Sequence, residues 1–204
     1  MRLLLIADVP EPAFWDHYRP SRLKGYDLIL SAGDLKAEYL EFLVTMANRP
    51  LIYVCGNHDG SYQSHSPEGC ACAEDTIVTV NGLRILGLGG SGLYNGGPYQ
   101  YSERQMEKRI RRLRRKIKKA GGVDLVLTHA PIRGFGDDDT LAHRGFEAFR
   151  QLVDDLHPNY WVHGHVHLNY NTKAKRVLRC GDTTIINACG CFVLDTEKDP
   201  EEYS

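Results

Sequence analysis

The chain has no long apolar run. Its first, Leu3 to Ala7, stops at Asp8 and is too short for the apolar stretch of a signal peptide. Nothing approaches the ~20 apolar residues that cross a bilayer, so a cytoplasmic protein with no membrane partner is expected. Charge of one sign is absent too. The 25 Lys and Arg nearly balance the 26 Asp and Glu, leaving a net charge of -1. The molecule as a whole therefore has no pull toward nucleic acid or acidic membranes. There is no internal repeat and no interdomain linker, and 204 residues favour one domain, taken as 1–204. The two-residue or longer gap common in zinc sites is missing: four of the six cysteines lie in two Cys-x-Cys pairs, Cys70 with Cys72 and Cys189 with Cys191. A disulfide framework is not expected in a cytosolic chain of this length, and Cys55 and Cys180 read as small strand or core residues.

What is present alternates between strand and helix. Arg2 to Ala7, Asp27 to Ala32, Leu51 to Cys55 and Asp124 to Thr128 are short apolar runs suited to buried strands. Tyr39 to Ala47, Ser102 to Ala120 and Phe146 to Leu156 have helical spacing, the second opened by a Ser102/Gln105 capping box and stopped by Gly121-Gly122. Thr76 to Val80 and Leu83 to Leu88 flank Asn81-Gly82, a hairpin signal. Tyr160 to Val162 is a further strand, and Thr183 to Leu194 holds the last ones. Gly56 to Cys72, the glycine-rich Gly87 to Gly97 and Pro131 to His143 read as irregular. The order points to an α/β fold with parallel pairing.

Five of these strands end in metal-ligand residues: Asp8; Gly33-Asp34; Gly56-Asn57-His58-Asp59; His129; and Gly164-His165-Val166-His167. Open α/β sheets bind ligands at the carboxyl ends of their strands, so one convergent site is expected. Each motif alone has a plainer reading: a helix cap, a turn, a core histidine, a polar loop. Their joint occurrence, each after a strand, does not. On an extended segment His165 and His167 would share a face. Carboxylate, amide oxygen and imidazole together suit manganese, iron or zinc, in numbers sufficient for two ions about 3.5–4 Å apart, the spacing of two-metal hydrolases.

These motifs resemble those of the calcineurin-like metallophosphoesterase superfamily, whose series runs Asp-x-His, Gly-Asp, Gly-Asn-His-Asp/Glu, His and Gly-His-x-His. The resemblance spans residues 8 to 167. It implies a four-layer αββα sandwich, two central mixed β-sheets flanked by helices, and hydrolysis of a phosphomonoester or phosphodiester with one or two divalent transition metal ions (Mn, Fe or Zn). It further implies that Asp34 serves both ions, Asp8 and His167 one, and Asn57, His129 and His165 the other. His58 would be the general acid, with Asp59 orienting its imidazole.

One position departs from the series. Pro10 stands where it has a histidine. Water fills the vacancy, or Glu11 swings in from a loop fixed by Pro10 and Pro12, or the ion binds weakly. The alternative is a catalytically weakened metal- or phosphate-binding protein. His143 is a candidate to touch substrate or to cap the next helix, and the loop with Tyr94 a candidate to line the cleft. Lys108 to Lys119 carries nine basic residues in twelve. A nuclease using that helix is a possible but unfavoured reading, because net charge is near zero and no aromatics interleave the run.

Overall fold

The computed structural model describes residues 1–168 and 175–198. Strands β1 (Arg2–Ala7), β2 (Leu28–Ser31), β3 (Leu51–Tyr53) and the short β4 (Ala71–Cys72) run parallel in one sheet, and β13 (Gly190–Asp195) pairs antiparallel with β1 on its far edge. The second sheet has the order β11-β12-β10-β9-β6-β5. Its members are β5 (Thr76–Val80), β6 (Leu83–Leu88), β9 (Leu125–Thr128), β10 (Tyr160–His163), β11 (Val177–Cys180) and β12 (Thr183–Asn187). The middle four are parallel, and β5 and β11 are antiparallel edges. Two-residue strands β7 (Ser91–Gly92) and β8 (Gln100–Tyr101) pair separately.

Strand β1 shows why an unbroken apolar run was needed. Leu3, Leu5 and Ala7 point into the core between the two sheets, with Leu28, Leu30, Leu125, Leu127 and Val162. Leu4 and Ile6 point the other way, onto helix α1 (Ala37–Ala47) through Leu40 and Leu43. A strand covered on both faces has no polar alternation to show. The outer face of the second sheet is covered by α2 (Glu103–Ala120) and α3 (Glu147–Leu156), through Met106, Ile110, Leu113, Phe149 and Leu152 packed around Trp161. The layers are α1, sheet, sheet, then α2 with α3, as the resemblance implied.

Local signals act where they stand. Gln105 Oε1 accepts from the Ser102 amide at 2.7 Å and Ser102 Oγ accepts from the Gln105 amide at 3.4 Å, completing the capping box. Gly121 ends α2 at φ +73°. Asn81 and Gly82 turn the β5–β6 hairpin with positive φ at both positions.

The structure differs in the stretches expected to be irregular. Residues 56–72 contain a 3-10 turn (Asp59–Gln63) and β4, and the glycine-rich loop contributes β7. Two-residue strands are too short to show periodicity, and β4 is exposed along its length. Edge strand β11 is half-buried and interrupted by Arg179, so it has no apolar run to read. Among the described residues no helix is long and apolar enough to cross a membrane.

Candidate metal centre

The carboxyl ends of β1, β2, β3, β9 and β10 meet above the seam between the sheets, and each delivers one motif. Tight loops make this possible. A Cβ on Gly56 would collide with the Asp34 carboxylate, and one on Gly164 would lie 2.8 Å from Asp8 Oδ2. Asp8, Asp34 and His165 themselves take positive φ, at +63°, +59° and +68°. Such a backbone is costly outside glycine and persists where surrounding contacts enforce it.

His129 lies at the centre and is fully buried. Its Nδ1 donates to the Ala32 carbonyl at 2.8 Å, which leaves Nε2 facing Asn57 Oδ1 at 3.1 Å and Asp34 Oδ2 at 3.3 Å. Histidines that bind metals are typically held from behind in this way. Asn57 is oriented in turn, because its Nδ2 donates to the Tyr94 hydroxyl at 3.1 Å. His165 sets its ring edge-on to that of His129, 4.7 Å between centroids, and donates through Nε2 to the Ala142 carbonyl at 2.6 Å, leaving Nδ1 as its lone-pair atom. Asp34, His129 and His165 each offer one ligand atom within 4.8 Å of the others. A carboxylate with two imidazoles, beside an amide oxygen, is a donor set for a first-row transition metal.

Electrostatics agree with that geometry. Burial opposes charge on His129, but Asp34 and Asp8 outweigh it and push its pKa up to about 9. Burial likewise opposes charge on Asp34, yet His129 and the His58 amide hold its carboxyl below the usual range. His165 goes the other way: burial, then the charge of His129, bring it down to about 3, so it is a neutral imidazole at neutral pH. Burial raises Asp8. The pocket is thus built to hold positive charge beside Asp34.

Residues 1–203 match the calcineurin-like phosphoesterase superfamily domain. The chain belongs to that superfamily. A curated relative, the lariat debranching enzyme of Schizosaccharomyces pombe, is 28% identical over 158 residues, covering 58% of this chain and 33% of that protein. The chain therefore spans about a third of the length of the curated relative it matches. TT1561 of Thermus thermophilus superposes with a TM-score of 0.60 at 15% identity, over 93% of this chain and 89% of that one. A hypothetical protein from the same organism gives 0.54 at 19%, over 92% and 75%. At these identities the structural likeness speaks for the fold alone.

Within this phosphoesterase domain several expectations need correction. Asp59 does not orient the His58 ring. Its Oδ2 accepts from the Asp34 amide at 2.8 Å and the Gly56 amide at 2.7 Å, so it braces two loops, and burial pushes its pKa up to about 7. The His58 side chain is 74% exposed, with Nε2 3.9 Å from Asp34 Oδ2. Glu11 does not swing toward the cluster: Oε1 accepts from the Ala13 amide at 3.1 Å and Oε2 faces Cys191 Sγ at 3.6 Å. His165 and His167 do not share a face of an extended strand, because His165 is left-handed and turns the chain. His167 is half-buried outside the compact group, and Asp8 meets His165 through its backbone, both oxygens 3.0 Å from that amide. His143 bonds Thr140 at 2.9 Å and places its ring 5.2 Å from that of His165, at the rim rather than on α3, whose cap position is Phe146. Sequence reasoning missed the Ala142 and Ala32 carbonyls, since a carbonyl carries no residue signature.

Proposed function

We propose that this chain is a metal-dependent hydrolase of phosphate esters. The observation that supports it is the meeting of Asp34 Oδ2, Asn57 Oδ1 and His129 Nε2 within hydrogen-bonding reach, with His165 in the same compact group. Asp34, Asn57, His129 and His165 would hold one ion of manganese, iron or zinc. Asp8 and His167 would hold a second more weakly, since Pro10 brings no ligand and Glu11 is engaged elsewhere. When bound, such ions supply an activated water and offset phosphate charge.

The chain's own groups do the rest. Asp34 keeps Oδ1 on the His58 amide at 2.8 Å, which fixes the carboxylate. His58, exposed at the rim, protonates the departing oxygen. His143, beside His165, contacts the phosphate. Asp59 keeps the loops of Asp34 and Asn57 in register.

The test is elemental analysis of purified protein, followed by assays of p-nitrophenyl phosphate and bis-p-nitrophenyl phosphate with manganese, iron or zinc. Metal-stimulated turnover is expected, with a loss of at least ~100-fold in His58→Ala and loss of bound metal in Asp34→Ala. Protein that binds metal yet turns over neither ester would leave a binding protein and overturn the proposal.

A further inference from the structure

Helix α2 carries a charge pattern that the metal centre does not use. Its buried seam is Met106, Ile110, Leu113 and Ile117. On the opposite side Arg104, Lys108, Arg112, Arg115 and Lys119 recur at steps of three and four residues, and all are exposed. On a helix that spacing makes one straight line. Arg111 and Lys118 flank it. Three basic residues of the helix are engaged within the fold: Arg109 with Glu74 and Asp75, Arg114 with Asp155, and Lys116 with the Asp75 carbonyl. The seven others make no ion pair among the described residues. Like charges at these spacings each cost a helix a few tenths of a kcal/mol. Residues 108–119 hold nine of the chain's 25 basic residues and no acid, in a protein of net charge -1. The positive charge is therefore segregated onto one surface against the interest of local helix stability.

We propose that this face of α2 is a docking surface for the phosphodiester backbone of a nucleic acid. The line from Arg104 to Lys119 is about 22 Å long at 1.5 Å per residue. A duplex presents one phosphate per ~3.4 Å of each strand, so about six phosphates pass along that length. An even row of cations suits an even row of anions, and arginine forks grip phosphate oxygens in pairs. A membrane surface suits it less: the apolar seam of α2 is committed to the second sheet, leaving no apolar face to enter lipid. No aromatic side chain stands in the row for base stacking, so contact is with the backbone and independent of sequence. The helix starts just after β8, at the end of the loop that brings Tyr94 to Asn57. The N-terminal end of the row is thereby tied through one loop to the candidate site. Binding does not depend on the phosphoesterase reading and is tested apart from it.

The experiment is fluorescence anisotropy of labelled double-stranded DNA, double-stranded RNA and single-stranded RNA with the full chain between 50 and 200 mM salt. Four to five contacts give a log–log slope with salt of about -4 on duplex, an affinity loss of ~100-fold or more across that range. Replacing Lys108, Arg112, Arg115 and Lys119 together by Gln should flatten the slope by 3 to 4, by about 0.9 per phosphate contact. Turnover of p-nitrophenyl esters and the melting temperature should stay unchanged. If the fourfold variant does not fold, Arg112→Gln/Arg115→Gln should flatten the slope by about 2. No saturable binding at 50 mM salt overturns the proposal. So does an unchanged slope in the variants, or equal affinity for polyglutamate or phosphatidylserine vesicles.

Discussion

Arg109 Nη2 lies 2.7 Å from Glu74 Oε2, and the other oxygen of Glu74 accepts from the Cys55 amide at 2.8 Å. Arg109 also reaches the Gly89 carbonyl at 2.7 Å and lies over the Tyr101 ring at 4.3 Å. One guanidinium thus ties α2 to the stretch before Asn57 and to the loop before Tyr94. Arg109→Ala should cost about 2 kcal/mol in urea unfolding, less than the loss of one partner from a fully buried pair, because the Glu74 carboxylate it strands is only partly buried. Arg109→Lys, which keeps the charge but not the fork, should recover only part of it. Wild-type stability in the alanine variant would show the pair to be ornamental.

Among the described residues Tyr94 reaches the site through Asn57, whose amide it fixes. Tyr94→Phe should leave the melting temperature in place while weakening metal affinity by about 10-fold, the lower end of outer-contact effects. Titration with a competing chelator measures it. Unaltered affinity would mean that His129 alone orients the Asn57 oxygen.

Two histidines make the metal-stripped protein acid-sensitive. Burial brings His163 down to about 4 and His165 to about 3. Unfolded, each binds its proton near pH 6.5. Below that the unfolded chain holds more protons, so the contribution of these two is intact above pH 6.5 and falls as pH drops toward 4 and 3. Each histidine contributes up to about 1.4 kcal/mol per pH unit. His163→Gln should lower that slope by about one proton. His129 acts oppositely: raised to about 9, it adds stability that is complete below pH 6.5 and lost as pH rises through 9.

Glu11→Ala should leave metal stoichiometry unchanged, since its oxygens face Ala13 and Cys191. Pro10→His should raise the occupancy of a second ion. Inductively coupled plasma analysis of both variants distinguishes these outcomes. A fall in metal content for Glu11→Ala would place that carboxylate back among the ligands.

The strands that carry the motifs were legible because apolar runs such as Leu3 to Ala7 are forced by burial on two faces. The convergence of Asp34, Asn57 and His129 was legible because sequence order and strand direction together place them on one edge. Side-chain bookkeeping was not. Nothing in Gly56-Asn57-His58-Asp59 says that Asp59 turns inward to two amides while His58 faces out. The backbone reversal at His165 is likewise invisible, because histidine, though enriched there, takes positive φ at only a small minority of its positions. In the sequence Arg109 is one more member of the basic run Lys108 to Lys119. Its burial comes from Glu74 and Asp75, acids at the start of a different strand, and such a match is written in three dimensions only.

Asp8 holds the amide of His165 across 157 residues of chain. A cage whose walls follow β1 in one sheet and β10 in the other does not exist until both sheets have docked. On the proposed reading, a cation would have nothing to grip in a half-folded chain and would act as a late rivet, fastening only the finished sandwich. Heat tolerance of this protein should then climb with free cation concentration, and chelation should loosen the whole molecule rather than one corner of it.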